Sequence, residues 1–151
     1  MAFQTAGLNY IGTRNEQAAS YAAAAAGYLD GVPGVCLVVS GPGVVHALAG
    51  LANAKENCWP MILVGGASDA NQSCSMAFQE GSQLEFVRPY VKYALPALPH
   101  PTFVTSCTTP STPQFCNNLR MYACTLDSVD RIPFLVHRAI RHALNGRPGP
   151  V

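Results

Sequence analysis

The sequence predicts an α/β fold, a parallel sheet flanked by helices. Two short runs, Val35-Cys36-Leu37-Val38-Val39 and Met61-Ile62-Leu63-Val64, are apolar at every position, as strands buried on both faces require. A glycine turn, Ser40-Gly41-Pro42-Gly43, closes the first run, and the helix-favouring stretch Val44 to Lys55 separates it from the second. Strand, glycine turn, helix and strand in that order form a βαβ unit with a right-handed crossover.

The remaining elements follow in order. Tyr10 to Thr13 reads as a short extended piece. Asn15 offers an N-cap, Glu16 falls in a first turn where a carboxylate suits the helix dipole, and Ala18 to Leu29 favours helix. The small residues Ala22 to Ala26 suit a close-packed helix, with Tyr21 and Tyr28 as larger anchors. Asp30-Gly31-Val32-Pro33-Gly34 is a turn cluster, and Trp59-Pro60 breaks the chain before the second strand. Trp59 reads as a core or interface anchor. Val91 to Ala94 predicts another short strand.

Beyond it the character changes. Leu95 to Ser128 holds Pro96, Pro99, Pro101, Pro110 and Pro113, three cysteines and no period, which predicts a segment outside the fold. Order returns with Asp130 as a cap and Pro133 in a first turn. Ile132, Leu135, Val136, Ala139, Ile140, Ala143 and Leu144 then mark one helical face, and Asn145-Gly146 stops the helix. Gly149-Pro150-Val151 reads as the lead-in to a further strand.

Composition excludes several classes. The 151 residues are 49% hydrophobic and 11% charged, with a net charge of +1; a soluble domain carries about 25% charged residues. So apolar a chain is not a disordered one, and it has no basic stripe to neutralise a nucleic acid. A domain this poor in charge is expected to bury part of its outside against a partner subunit or further chain. No window approaches the ~20 apolar residues of a membrane span, and Met1 to Gly12 lacks the features of a signal peptide. The six cysteines show no CxxC pair and no zinc spacing, so they read as reduced thiols. No metal ligands are assigned.

Gly41-Pro42-Gly43 alone is a weak dinucleotide signal. His46 stands where GxGxxG needs its third glycine, and no acidic residue closes the second strand to hold a ribose. Phosphate-loop and nucleophile-elbow motifs are also absent from the sequence.

The ordered set is more specific. Arg14-Asn15-Glu16-Gln17-Ala18-Ala19, Ser40-Gly41-Pro42-Gly43, Asn57-Cys58-Trp59-Pro60-Met61 and Ala77-Phe78-Gln79-Glu80 follow one another at strand-helix spacing. This array resembles the N-terminal, pyrimidine-binding domain of thiamine diphosphate enzymes of the acetolactate synthase and oxalyl-CoA decarboxylase type. Within that group, residues 35–43, His46-Ala47-Leu48 and Asn57-Cys58-Trp59-Pro60 are most similar to the animal 2-hydroxyacyl-CoA lyases. The resemblance runs from about Ala6 to Ala94 and resumes from about Val129.

The resemblance implies a thiamine diphosphate cofactor, with Glu16 as the catalytic residue. A carboxyl group hydrogen-bonded to N1′ of the aminopyrimidine promotes loss of the thiazolium C2 proton, and such a group works best when buried in an apolar site. Without the resemblance, Glu16 reads as an exposed residue complementing a helix dipole. By the same resemblance Ser40, Gly41, Pro42, Gly43, His46 and Gln79 line the cofactor site. Their plain alternatives are a tight strand-to-helix turn, a packing histidine and a polar loop residue.

The resemblance further implies cleavage of 2-hydroxy fatty acyl-CoA to formyl-CoA and a shortened aldehyde, a step of fatty acid α-oxidation. It also implies a homo-oligomer (dimer or tetramer) and a peroxisomal setting. Gly149-Pro150-Val151 is no peroxisomal tripeptide, which leaves a cytoplasmic location open. The expected organisation is a pyrimidine-binding domain over residues 1–94 lacking its first strand, a non-family insert over 95–128, and the last helix with the start of a strand over 129–151. Magnesium and pyrophosphate ligands are expected in a C-terminal domain beyond Val151, so the chain alone is expected to be inactive. Two alternatives remain, an oxalyl-CoA decarboxylase-like fragment and a non-catalytic α/β oligomerisation module.

Overall fold

The computed structural model describes residues 2–69, 72, 75–92 and 129–151. A short helix α1 (Ala2–Thr5) precedes an irregular, solvent-facing stretch. Helix α2 (Glu16–Asp30), strand β1 (Gly34–Val38), helix α3 (Pro42–Asn57) and strand β2 (Met61–Gly65) then form the βαβ unit. The strands pair in parallel, with Gly34 opposite Met61 and Val38 opposite Gly65. A short helix α4 (Gln83–Val87) runs into a 3₁₀ turn, and helix α5 (Ile132–Leu144) follows a second such turn at Val129–Arg131.

Helix α2 starts where its cap dictates. Asn15 is extended (φ −146°, ψ 131°), and its Oδ1 accepts from the N–H groups of Gln17 at 2.8 Å and Ala18 at 3.4 Å. Helix α2 packs along α3 through small residues: Ser20, Ala23, Ala24 and Gly27 on one side, Ala47, Gly50, Leu51 and Ala54 on the other. Cys36, Val38, Val44, Met61, Val87 and Val91 complete this core. The far end is closed by Tyr28 stacked on Trp59, ring centroids 5.0 Å apart, so Trp59 serves as the anchor its position suggested.

Helix α5 covers the other side of β2, where Leu135, Ala139, Ala143 and Val151 pack around Ile62. The closing residues behave as a strand lead-in: Pro150 bridges Met61 in parallel, Val151 N–H donates to Met61 O, and Leu63 N–H donates to Val151 O, both at 2.8 Å. Lys92 ties this part to the rest. Its N–H donates to Pro150 O at 2.7 Å, and its ammonium donates to the carbonyls of His142 (2.9 Å) and Asn145.

Four expectations are corrected. Strand β1 is not buried on both faces: Cys36 and Val38 point into the core, whereas Val35 and Leu37 are more than half exposed because no layer covers that face among the described residues. The N-cap position of α5 falls at Arg131, not Asp130. The helix enters from the 3₁₀ turn through Arg131, already in right-handed helical geometry, and the Arg131 side chain makes no cap hydrogen bond. Val91 and Lys92 form a bend rather than a strand, because Val91 N–H is taken by Val87 O. Finally, Val136 is half exposed and Ile132 and Ile140 more than a third, since the apolar stripe of α5 is wider than the surface β2 offers it. Tyr93, Ala94 and the segment Leu95 to Ser128 lie outside the described residues.

Candidate functional site

Helices α2 and α3 both run antiparallel to β1, so both begin at its carboxyl end. That edge is where α/β sheets hold ligands. The side-by-side packing of the two helices fixes which residues meet there. Ser20 touches Gly50, and one helical turn before each stand Glu16 and His46. His46 Nδ1–H accordingly donates to Glu16 Oε2 at 3.2 Å.

Glu16 is about a third exposed at its side chain and His46 more than half. The Glu16 carboxyl is held below the usual glutamate range, first by its own backbone N–H at the helix start, then by the His46 hydrogen bond. Partial burial opposes this more weakly. The expectation of a buried carboxyl stabilised in its protonated form is therefore not met in this chain: Glu16 is half-buried in the first turn of α2, whose N-terminus favours the anion. Beneath it lies Cys36 on β1, whose thiol is pushed up by burial and further by the Glu16 charge.

The glycine turn adjoins this pair. Gly41 has φ 60° and ψ −105°, and a Cβ there would overlap the carbonyl oxygen of Gln79. Only glycine satisfies both demands. The contact brings the loop of residues 77–80, itself held by Ala77 N–H donating to Glu80 Oε2 at 3.0 Å, against the strand-end turn. Ser40 is half-buried and Pro42 exposed at the first turn of α3. A Cβ on Gly43 would press on the Val39 side chain, so Gly43 lets the helix start close to its strand. Gly41 and Gln79 thus lie together at this edge, as do Glu16 and His46, each pair flanking the start of α3.

Gln83 was not singled out in the sequence, yet its side chain spans both strand ends. Its Oε1 accepts from Gly41 N–H at 3.2 Å and its Nε2 donates to Gly66 O at 2.8 Å, while Gly66 N–H donates to Val38 O at 3.0 Å. A glutamine four residues after Gln79 carries no pattern that sets it apart from any polar loop residue. Among the described residues no three His, Cys, Asp or Glu side chains gather to hold a metal. Among the described residues no helix is long and apolar enough to cross a membrane.

Residues 1–86 match the family described as thiamine pyrophosphate enzyme, N-terminal TPP binding domain. The chain belongs to this family. Its relatives include 2-hydroxyacyl-CoA lyase 1 of Mus musculus, 46% identical over 99% of this chain, and of Homo sapiens, 45% identical over the same share. Oxalyl-CoA decarboxylase of Escherichia coli (strain K12) is 46% identical over 60% of the chain. The chain spans 21% of the length of the mouse and human proteins and 16% of the bacterial one. The parallel β1–β2 pair and its helices are the α/β arrangement that the sequence predicts for a TPP-binding pyrimidine domain.

Proposed function

We propose that this chain is the pyrimidine-binding part of a thiamine diphosphate-dependent lyase that cleaves 2-hydroxyacyl-CoA. One observation carries the reading. A carboxylate, Glu16, stands at the carboxyl edge of the parallel sheet, beside a glycine turn that leaves backbone, not side chain, facing the edge. That set suits a neutral, nitrogen-rich heterocycle: an acidic group to engage a ring nitrogen and a flat backbone ledge beside it. It does not suit a pyrophosphate, since among the described residues no cluster of basic side chains is seen to gather at Glu16, whose one ion-pair partner there is His46. Pyrophosphate and magnesium are therefore assigned to parts of the complete enzyme beyond these residues.

Thiamine diphosphate supplies the electron sink for breaking the carbon–carbon bond. The chain's own residues do the rest. Glu16 holds a proton at the pyrimidine N1′, the Ser40–Gly43 turn and the Gln79 loop define the ledge beside it, and Gln83 keeps the two strand ends together. The substrate reading, a 2-hydroxy fatty acyl-CoA giving formyl-CoA and a shortened aldehyde, rests on the lyase relatives covering nearly the whole chain, where the oxalyl-CoA decarboxylase match covers 60%. The exposed β1 face and the low charge content support a homo-oligomer.

The test uses a full-length lyase carrying these residues. It should release formyl-CoA from 2-hydroxyoctadecanoyl-CoA with thiamine diphosphate and magnesium, and much less from oxalyl-CoA. Preference for oxalyl-CoA would favour the decarboxylase reading. Neither product would return the domain to a non-catalytic role.

A further inference from the structure

We propose that His46 is a positioning residue for Glu16: its ring holds one carboxylate oxygen and so fixes which oxygen is offered to an incoming ring nitrogen. The inference rests on the reading of Glu16 given above, and extends it to a residue that would otherwise pass as a direct cofactor contact.

The geometry carries it. Nδ1 of His46 lies 3.2 Å from Oε2 of Glu16, across an interface between two helices rather than within one. The pair is set by the backbone: the Ser20–Gly50 contact locks the helices one turn further on, leaving little freedom in how far apart Glu16 and His46 stand. For Nδ1 to donate, the neutral ring must carry its proton on that nitrogen, which leaves Nε2 pointing away as an acceptor. A carboxylate with one oxygen already taken presents only the other, which removes a rotational choice that ligand binding would otherwise have to freeze. Among the described residues the titratable groups that interact with Glu16 are His46 from α3 and the Cys36 thiol from β1. The thiol's titration is itself coupled to the Glu16 charge. His46 is more than half exposed at its side chain, so replacing it does not disturb the core.

The geometry also specifies a rescue. The amide nitrogen of asparagine occupies nearly the place of imidazole Nδ1, whereas that of glutamine overlays Nε2. His46→Asn should therefore restore what His46→Ala removes, and His46→Gln should not.

Two measurements test this. In the 151-residue chain without cofactor, carbon-13 NMR follows the Glu16 carboxyl through its titration. Its midpoint should rise toward the ordinary glutamate value in His46→Ala, fall back in His46→Asn, and be the same in a Cys36→Ala, His46→Ala pair as in His46→Ala, because the thiol is uncharged where the carboxyl titrates. An unmoved midpoint in His46→Ala overturns the proposal. In the full-length lyase, C2 proton exchange of bound thiamine diphosphate should slow about tenfold in His46→Ala, the lower end for loss of an outer-shell partner. His46→Ala should add nothing once Glu16 is Gln, because residues acting through one group are not additive. A full further loss in the double variant would show that His46 meets the cofactor itself and would overturn the positioning role. If Glu16→Gln alone leaves exchange unchanged, the reading of Glu16 fails, and the His46 proposal with it. A midpoint shift with normal Glu16 dependence but no exchange effect in His46→Ala sinks the proposal alone.

Discussion

Ser20 and Gly50 meet where α2 lies along α3, and a Cβ on Gly50 would stand 2.6 Å from the backbone carbonyl carbon of Ser20, inside any real contact distance. Ser20 is fully buried, and its hydroxyl donates to Gln17 O at 2.8 Å, so neither partner has room to yield. Replacing Gly50 with Ala gains up to about 1 kcal/mol of helix propensity. It also forces an overpacked contact against backbone, which costs roughly 1–3 kcal/mol. The clash wins, because the backbone of Ser20 cannot rotate away as a side-chain tip would.

Gly50→Ala should therefore lower the urea midpoint of the chain, and Ser20→Ala should not rescue it. The same variant should weaken the Glu16–His46 contact one turn away, seen as a shift of the Glu16 carboxyl titration. An unchanged midpoint in urea would mean that the helices separate freely.

Gln83→Ala removes one donor and one acceptor from between the strand ends. Gly41 N–H and Gly66 C=O lose their side-chain partner, a loss of about 1 kcal/mol for groups that water can partly reach. The expected signature is local: faster amide hydrogen exchange at Gly41, with little change at Ala24 or Leu51 in the core. Gln83→Glu keeps the acceptor for Gly41 but loses the donor to Gly66, so it should protect Gly41 better than Ala does.

Glu16→Gln should leave thiamine diphosphate binding by the full-length lyase largely intact. It should slow C2 proton exchange by on the order of a hundredfold, the range for a positioned acid or base. The amide keeps the shape and can hydrogen-bond, but it cannot give and take a proton. NMR of the acid-quenched cofactor isolates this step from acyl-CoA binding and product release.

The pH dependence has a definite sign. The Glu16 carboxyl titrates below its ordinary value in the folded chain, so the folded state prefers the anion. Its contribution to stability is fully present above the ordinary carboxyl range. It is lost as the pH falls through the lowered folded value. Glu16→Gln should flatten that acid limb by a small loss of stability at neutral pH that vanishes at acid pH, small because the carboxyl is partly solvent-exposed and screened.

Much of this was legible in the sequence because local chemistry decided it. Asn15 caps α2 whatever the tertiary surroundings, and the order of strand, glycine turn and helix fixes the sheet edge at which Glu16 and Gly41 arrive. What could not be read depended on which face met a neighbour. Val35 and Leu37 look the same in sequence as Cys36 and Val38, and only the placement of α2, α3 and α5 separates covered from uncovered positions. Gln83 was invisible because its role comes from two backbone groups far along the chain. The environment of Glu16 was misjudged because its partner lies 30 residues away on another helix.

The uncovered β1 face makes association testable. Val35 and Leu37 project from the sheet with Val39 beyond the strand end, all more than half exposed. Sedimentation of the chain at micromolar concentration should show species larger than the monomer, and Val35→Lys with Leu37→Glu should shift them toward monomer. A monomeric parent chain would remove this surface as the cause.

Lys92 has one more consequence. Its N–H and ammonium together hold Pro150, His142 and Asn145, and the pairing of Val151 with Met61 and Leu63 adds to that seam. Residues 1–92 and 129–151 therefore meet through contacts that need no peptide link between them. Supplied as two separate polypeptides, they should reassemble by fragment complementation, with helix signal regained on mixing. Lys92→Ala should weaken that reunion more than it weakens the intact chain, where covalent tethering supplies a high effective concentration.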